Sequence, residues 1–238
     1  MSNKILSKID NKIGHITLNN PDKANAIDIE MRDTLIHAFH LFENNHDVSI
    51  IMLNANGKYF CAGADLQYMQ HMRTVSYEEN AADAKKLAEL FYTIYSCKKP
   101  TITYAHGKVI GGGLGLLAAS DIAIATPDTT FCFSEVKIGF IPAVISPFIL
   151  QRLGYQSSKY YMMTAESFDA KTALKIGLID RIGKNEIAHA LAETLLQNNT
   201  QAVHALKKWL NALYPVTQSQ MDQASEQLTI IRTQITDN

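Results

Sequence analysis

At 238 residues, with 47% apolar and 19% charged side chains, the chain can bury one sizeable core and lies far from the composition of disorder. Its 22 Lys and Arg balance 23 Asp and Glu, leaving no basic field for nucleic acid or an anionic membrane surface. Cys61, Cys97 and Cys132 lack CxxC spacing, which argues against a disulfide framework or zinc site; with no apolar secretory run at the start, a cytoplasmic protein is expected.

Two short strands, 5–9 and 13–18, read as a hairpin turning at Asp10 and Asn11. Asp28 is placed to cap a helix whose apolar residues Ile29, Leu35, Ile36, Phe39 and Phe42 recur near the helical period. The β-branched run 48–53 is long enough only for a buried strand, and a loop containing YFCAGADL follows it. Ser76 and Glu79 form a capping-box pattern ahead of a helix with Ala84, Leu87, Ala88, Phe91, Ile94 and Tyr95 on one face, and Pro100 marks its exit.

Residues 101–104 read as strand, AHGKVIGGG as loop, 114–119 as a short helix, and 122–125 and 130–133 as further strands. To about residue 150 the pattern is strand, strand, helix, repeated. Residues 151–238 read as a separate helical region interrupted by a short strand over 178–182. Its last helix starts at another capping box, Thr217 to Gln220, and carries a stripe of Met221, Ala224, Leu228, Ile231 and Ile235 that must pack on something.

Gly111, Gly112 and Gly113 directly precede a helix, so the backbone can approach a ligand closely while several N–H groups at the helix start lack intrahelical partners. Such a terminus favours a carbonyl oxygen gaining negative charge. Gly113, Gly115 and Ala118 also satisfy the loose dinucleotide fingerprint, but the helix is too short for the crossover that a nicotinamide enzyme needs. None of the eight histidines has metal-ligand spacing, and there is no GxSxG nucleophile elbow.

Together PDKANAID (21–28), KYFCAGADL (58–66), GKVIGGGLGLLAASD (107–121) and FSEVKIGFIPAVISPF (133–148) resemble the crotonase, or enoyl-CoA hydratase/isomerase, superfamily. The resemblance implies an α/β spiral of ββα units with a C-terminal helical region, assembled as a homotrimer or a dimer of trimers. It implies an acyl-CoA substrate that itself brings the coenzyme A, with no separate cofactor. It makes the N–H groups of Ala62 and Gly112 the oxyanion donors and Glu135 the proton-transferring carboxylate. It places Lys23, Ala24, Ala26, Gly63, Ala64, Asp65, Leu66, Tyr68, Gly111 and Pro142 along the substrate and coenzyme A site, with Met69 and His71 bordering the acyl pocket.

Glu135 stands beside apolar Val136, Ile138 and Phe140, where burial would raise its pKa into a useful range. The two-glutamate hydratases carry their other glutamate two residues beyond the glycine triplet, where this chain has Gly115. The 131–154 stretch nevertheless looks like hydratases acting on branched thioesters such as 3-methylglutaconyl-CoA. The leading expectation is therefore a hydratase, with a single-carboxylate isomerase, a carrier-protein-thioester dehydratase and an inert acyl-CoA-binding paralogue as alternatives. Relatives commonly continue into a further helix that helps close the acyl pocket, whereas this sequence ends at Asn238.

Overall fold

The computed structural model describes residues 4–234. Strands β1 (Ile5–Asp10) and β2 (Ile13–Leu18) form the expected hairpin, but Asp10 still pairs in the ladder, so the turn falls one residue later than expected, at Asn11 and Lys12, both at positive φ. That geometry matches the twist of the flanking strands. β3 (Ile50–Ala55), β4 (Thr101–Ala105), β6 (Ile122–Ala125) and β9 (Arg181–Ile182) continue the sheet in the order β1-β2-β3-β4-β6-β9, parallel from β2 onward.

Both faces of this sheet are covered, so β3 is a continuous apolar run rather than an alternating one. Ile51 and Leu53 face the main core with Phe39, Phe91 and Leu117, whereas Ile50 and Met52 face a smaller cluster with Ile13, Ile102 and Ala188. Helices α1 (Ile29–Asn44) and α3 (Tyr77–Ser96) begin at the expected caps: Asp28 accepts from Met31 N–H, and Ser76 and Glu79 complete a reciprocal capping box. All six predicted apolar residues of α3 are buried. In α1, Ile29 is 46% exposed because it precedes the buried stripe, which starts at Met31.

A second sheet of β5 (Lys108–Ile110), β7 (Thr130–Cys132) and β8 (Phe168–Asp169) stands apart from the first. Isolated bridges Cys61 to Val109 and Ile27 to Ala64 align the 61–64 and 26–28 segments along its edge. Helix α4 (Gly112–Ala119) runs from β5 in this sheet to β6 in the other. It is therefore not the crossover of a dinucleotide-binding βαβ unit.

Two elements escape the sequence reading. α2 (Leu66–Met72) follows directly on the GAD segment, capped by Asp65, and β5 lies within what reads as a loop. Conversely, only Arg181 and Ile182 of the expected 178–182 strand pair in the sheet. Beyond α5 (Ser146–Thr164) and α6 (Ala170–Lys175) come α7 (Asn185–Gln197), α8 (Thr200–Leu213) and α9 (Gln218–Gln234). α9 lies along α3 with Met221, Ala224 and Leu228 buried, so its stripe has a partner within the chain; Ile231 is only half-buried and Ile235 lies outside the described residues. No helix among the described residues is long and apolar enough to cross a membrane.

Candidate active site

The small sheet and the start of α4 bring two of the four motif segments together. Gly63 has φ of +90° and a Cβ there would approach Ile110 O to 2.9 Å, so only glycine lets the 61–64 strand turn this close to β5. Gly111, at φ 51° and ψ −118°, likewise needs a residue without Cβ, and delivers the chain into α4 with Gly112 as its first residue. A Cβ built on Gly112 would lie 3.9 Å from Ala64 N, which places the two backbones side by side.

This arrangement changes one expected assignment. The Ala62 N–H donates to Ala24 O at 2.9 Å and is committed to the chain's own backbone. The Ala64 N–H has no acceptor among the described residues, and neither does that of Gly112, which sits in the first helical turn. Ala64, not Ala62, therefore offers the second free donor, and both Ala64 and Gly112 line one cavity. Two convergent N–H groups of this kind can hold a carbonyl oxygen as it gains negative charge.

Glu135 faces the same cavity. It opens the single-turn helix Glu135–Ile138, and its Oε1 would lie 3.2 Å from a Cβ on Gly111. Its Oε2 is buried with no hydrogen-bond partner among the described residues. Desolvation is the dominant influence and raises its pKa to about 7, although its own backbone N–H works in the opposite direction. Of the expected neighbours only Phe140 takes part, since Val136 and Ile138 are 39% and 40% exposed. Phe140, Ile141 and Pro142, which follow the turn back into the core, line the cavity beside the carboxylate.

The remaining wall consists of Ile27, Met69, Leu87, Phe91, Ala143, Val144 and Ile145, with Leu228 and Arg232 from α9. The enclosed space is small, ≈ 50 Å³, on the scale of one or two waters or the start of a short chain. α9 thus supplies a wall of the pocket that the sequence reading left to a further helix.

Gly115 lies one turn into α4, and the space for a side chain there is taken. A Cβ would come within 2.3 Å of Ile145 Cγ2 and 2.6 Å of Phe91 Cε1. Among the described residues Glu135 is accordingly the one carboxylate lining the cavity.

The other predicted residues arrange around this centre. Lys23 is exposed and its Nζ lies 3.8 Å from Asp65 Oδ2, whose other oxygen caps α2 through Tyr68 N–H. Ala24 serves as the acceptor for Ala62, and Ala26 is buried at the turn into Asp28. Leu66 is 60% exposed and His71 is exposed on α2, so neither forms the cavity wall. Tyr68 also leaves the wall: its hydroxyl donates to Asp83 behind it.

Sequence reasoning passed over Asn25, which holds the loop in place. It is fully buried, accepts from Asn20 N–H through Oδ1 and donates through Nδ2 to Asn56 O and Tyr59 O. Asparagine adjoining Ala24, both at positive φ, is the available signal, because asparagine tolerates that conformation better than most residues. Among the described residues no three His, Cys, Asp or Glu side chains gather as metal ligands.

The fold and its paired free N–H groups beside one buried carboxylate define a thioester-handling protein of the crotonase class. The family model described as enoyl-CoA hydratase/isomerase matches residues 8–236. A solved enoyl-CoA hydratase from Shewanella pealeana superposes with a TM-score of 0.86 at 37% identity, covering 98% of this chain and 89% of that one. The Alternaria alternata enoyl-CoA hydratase AKT6-1 is 32% identical over 90% of this chain and 71% of its own length. A peroxisomal Delta(3,5)-Delta(2,4)-dienoyl-CoA isomerase from Arabidopsis thaliana is 29% identical over 75% of this chain and 68% of its own. The chain belongs to the enoyl-CoA hydratase/isomerase family.

Proposed function

We propose that this chain moves the double bond of a short enoyl-CoA thioester, with Ala64 and Gly112 as the oxyanion donors and Glu135 as the only acid/base. The observation that carries this reading is the filling of the Gly115 site by Ile145 and Phe91. Hydration needs a water to be held and deprotonated in addition to the enolate chemistry, and the two-glutamate arrangement for that has no room here.

The steps balance with one carboxylate. Glu135 removes a proton from C2 of a 3-enoyl thioester, and the electron pair of that C–H bond delocalises onto the thioester oxygen between the Ala64 and Gly112 N–H groups. The dienolate then takes the same proton back at C4, leaving a 2-enoyl thioester and Glu135 ionised as before. A pKa near 7 suits both halves of this exchange. The direct test is the growth of conjugated-enoyl absorbance from a 3-enoyl-CoA with wild type and with Glu135→Gln: turnover by the first and near-loss in the second supports the reading, and equal rates defeat it.

A second reading, hydration, is favoured by the names of the Shewanella and Alternaria relatives. In that case the unpartnered Glu135 Oε2 would have to hold the water by itself. We also infer self-association through the C-terminal helices, supported by Tyr155, Met163, Trp209, Leu210 and Tyr214, each more than half exposed. Light scattering that finds only monomer would remove that part.

A further inference from the structure

Glu135 rests on a slight support. Its turn is four residues long, Ser134 before it supplies no side-chain cap, and Val136 and Ile138 are exposed rather than anchored in the core. Oε2 of the carboxylate has no hydrogen-bond partner among the described residues to fix it. The Gly139 N–H donates to Val136 O and the Phe140 N–H to Glu135 O at 2.9 Å, which closes the turn upon itself. Such a turn needs an outside grip if a buried carboxylate is to keep one place.

Arg73 supplies that grip. It ends α2, where its backbone N–H donates to Gln70 O and His71 O. Its Nη2 donates to Ile138 O at 3.2 Å, and its guanidinium lies over the Phe140 ring, 4.4 Å from the centroid. A guanidinium suits both tasks, because its edge donates while its face stacks on an aromatic ring. One planar group thus holds the last carbonyl of the Glu135 turn and the first core side chain after it. The other end of α2 starts at Asp65, directly after the Ala64 donor, and Met69 between them lines the cavity. α2 is therefore a strut running from an oxyanion donor to the carboxylate's turn. Arg232 lines the cavity itself but is engaged by Asp83 at 2.8 Å and Asn80 at 3.2 Å, which fastens α9 to α3. It holds a wall, whereas Arg73 holds the turn of the reacting group.

On the reading that Glu135 is the acid/base, we infer that Arg73 is its positioning residue: by gripping Ile138 O and the Phe140 ring, it sets where the carboxylate stands relative to the Ala64 and Gly112 donors and keeps water from entering past Phe140. A displacement of the carboxylate by about 1 Å is enough to cost a large part of the rate. Arg73 acts through this packing and not through its charge. The raised pKa of Glu135 comes from burial, opposed by its own backbone N–H, whereas a cation acting on the carboxyl would lower it. Removing such a cation would raise the pKa further, and loosening the turn to admit water would lower it. The two modes therefore have opposite signs.

The test measures initial rates across pH for wild type, Arg73→Ala, Arg73→Lys and Glu135→Gln, using whichever of a 3-enoyl-CoA and its 2-enoyl isomer wild type turns over. Urea midpoints show that each variant is folded. In Arg73→Ala, kcat should fall about tenfold to a hundredfold with KM little changed, and the kcat/KM midpoint should drop from near 7 toward the ordinary glutamate range. Arg73→Lys, which keeps the charge but lacks the planar fork, should lie between wild type and Arg73→Ala. Rates and midpoint unchanged in a folded Arg73→Ala overturn the inference. So does a lost rate with an unmoved or raised midpoint, or a change confined to KM. If Arg73→Ala does not fold, Arg73→Met, which keeps an apolar stem over the ring, is read in its place with the same outcomes. Should Glu135→Gln match wild type, or wild type turn over neither thioester, the acid/base reading itself fails and takes this inference with it.

Discussion

Ile145 occupies the space that a side chain on residue 115 would need: a Cβ on Gly115 would lie 2.3 Å from Ile145 Cγ2. With Phe91 Cε1 at 2.6 Å from the same point, no room is left at 115 for the second carboxylate that the two-glutamate hydratases carry there. That crowding also makes the difference testable as a packing problem.

Gly115→Ala should lower unfolding free energy by about 1–3 kcal/mol, the usual cost of forcing a methyl into a filled core. Ile145→Ala alone should cost about 2–5 kcal/mol through the cavity it leaves. The double substitution should cost clearly less than the two together, since the new methyl occupies part of the space vacated. Urea unfolding of the four proteins measures this coupling. Strict additivity would mean that the two side chains do not compete for one volume.

The two alanines of the CAGA segment should respond oppositely to loss of an N–H. Replacing Ala64 by lactic acid, which turns its amide into an ester, removes a free donor and should lower kcat by about a hundredfold to a thousandfold. The same replacement at Ala62 breaks the bond to Ala24 O, and should cost about 1 kcal/mol of stability with little change in kcat. Urea midpoints and single-turnover rates on both semisynthetic proteins distinguish the roles.

The pH profile follows from Glu135, raised by burial to about 7. A base must be ionised to take a proton, so kcat/KM should rise with pH through a midpoint near 7 and level off above it. In Glu135→Gln this limb should vanish along with most of the rate, a loss of about a hundredfold to ten-thousandfold. A midpoint close to the ordinary glutamate range would show that the carboxylate is solvated in the working enzyme.

Stability should run the other way. A carboxyl whose folded pKa is raised from 4.5 to about 7 binds its proton more tightly in the native state, so folding loses stability as pH rises between those values. Above the upper value the ionised, unpartnered side chain costs on the order of 3–4 kcal/mol. Glu135→Gln should therefore be more stable than wild type at pH 8, with the difference shrinking toward pH 5. Thermal melts across that range check the sign.

Features set by residues three or four apart were legible in the sequence: the caps at Asp28 and Ser76, the apolar face of α3, and the hairpin, though its turn lies one residue later than read. The glycine triplet was legible as a close backbone approach, whereas Glu135 was singled out by the resemblance of its motif and not by its neighbours, of which Val136 and Ile138 are exposed. Which N–H of CAGA is free was not, since Ala62 is satisfied by Ala24 O, a partner far away in the chain. Tyr68 reads as a pocket aromatic until Asp83, on the next helix, takes its hydroxyl. In α9 the stripe was followed from Leu228 to Ile231, three residues on, whereas the buried position is Arg232, four residues on. Helical spacing allows both, and hydrophobicity selected the wrong one because the burial is ionic.

The most direct test of the single-carboxylate account is product analysis in heavy-oxygen water. Purified wild type is offered a 3-enoyl-CoA and, separately, the matching 2-enoyl-CoA, over a range of short acyl chains, and the thioesters are resolved by mass. Double-bond migration in the favoured substrate, with no labelled 3-hydroxyacyl-CoA from any of them, is the predicted result. Rapid formation of labelled 3-hydroxyacyl-CoA, with Gly115 still hemmed in by Ile145 and Phe91, would contradict it.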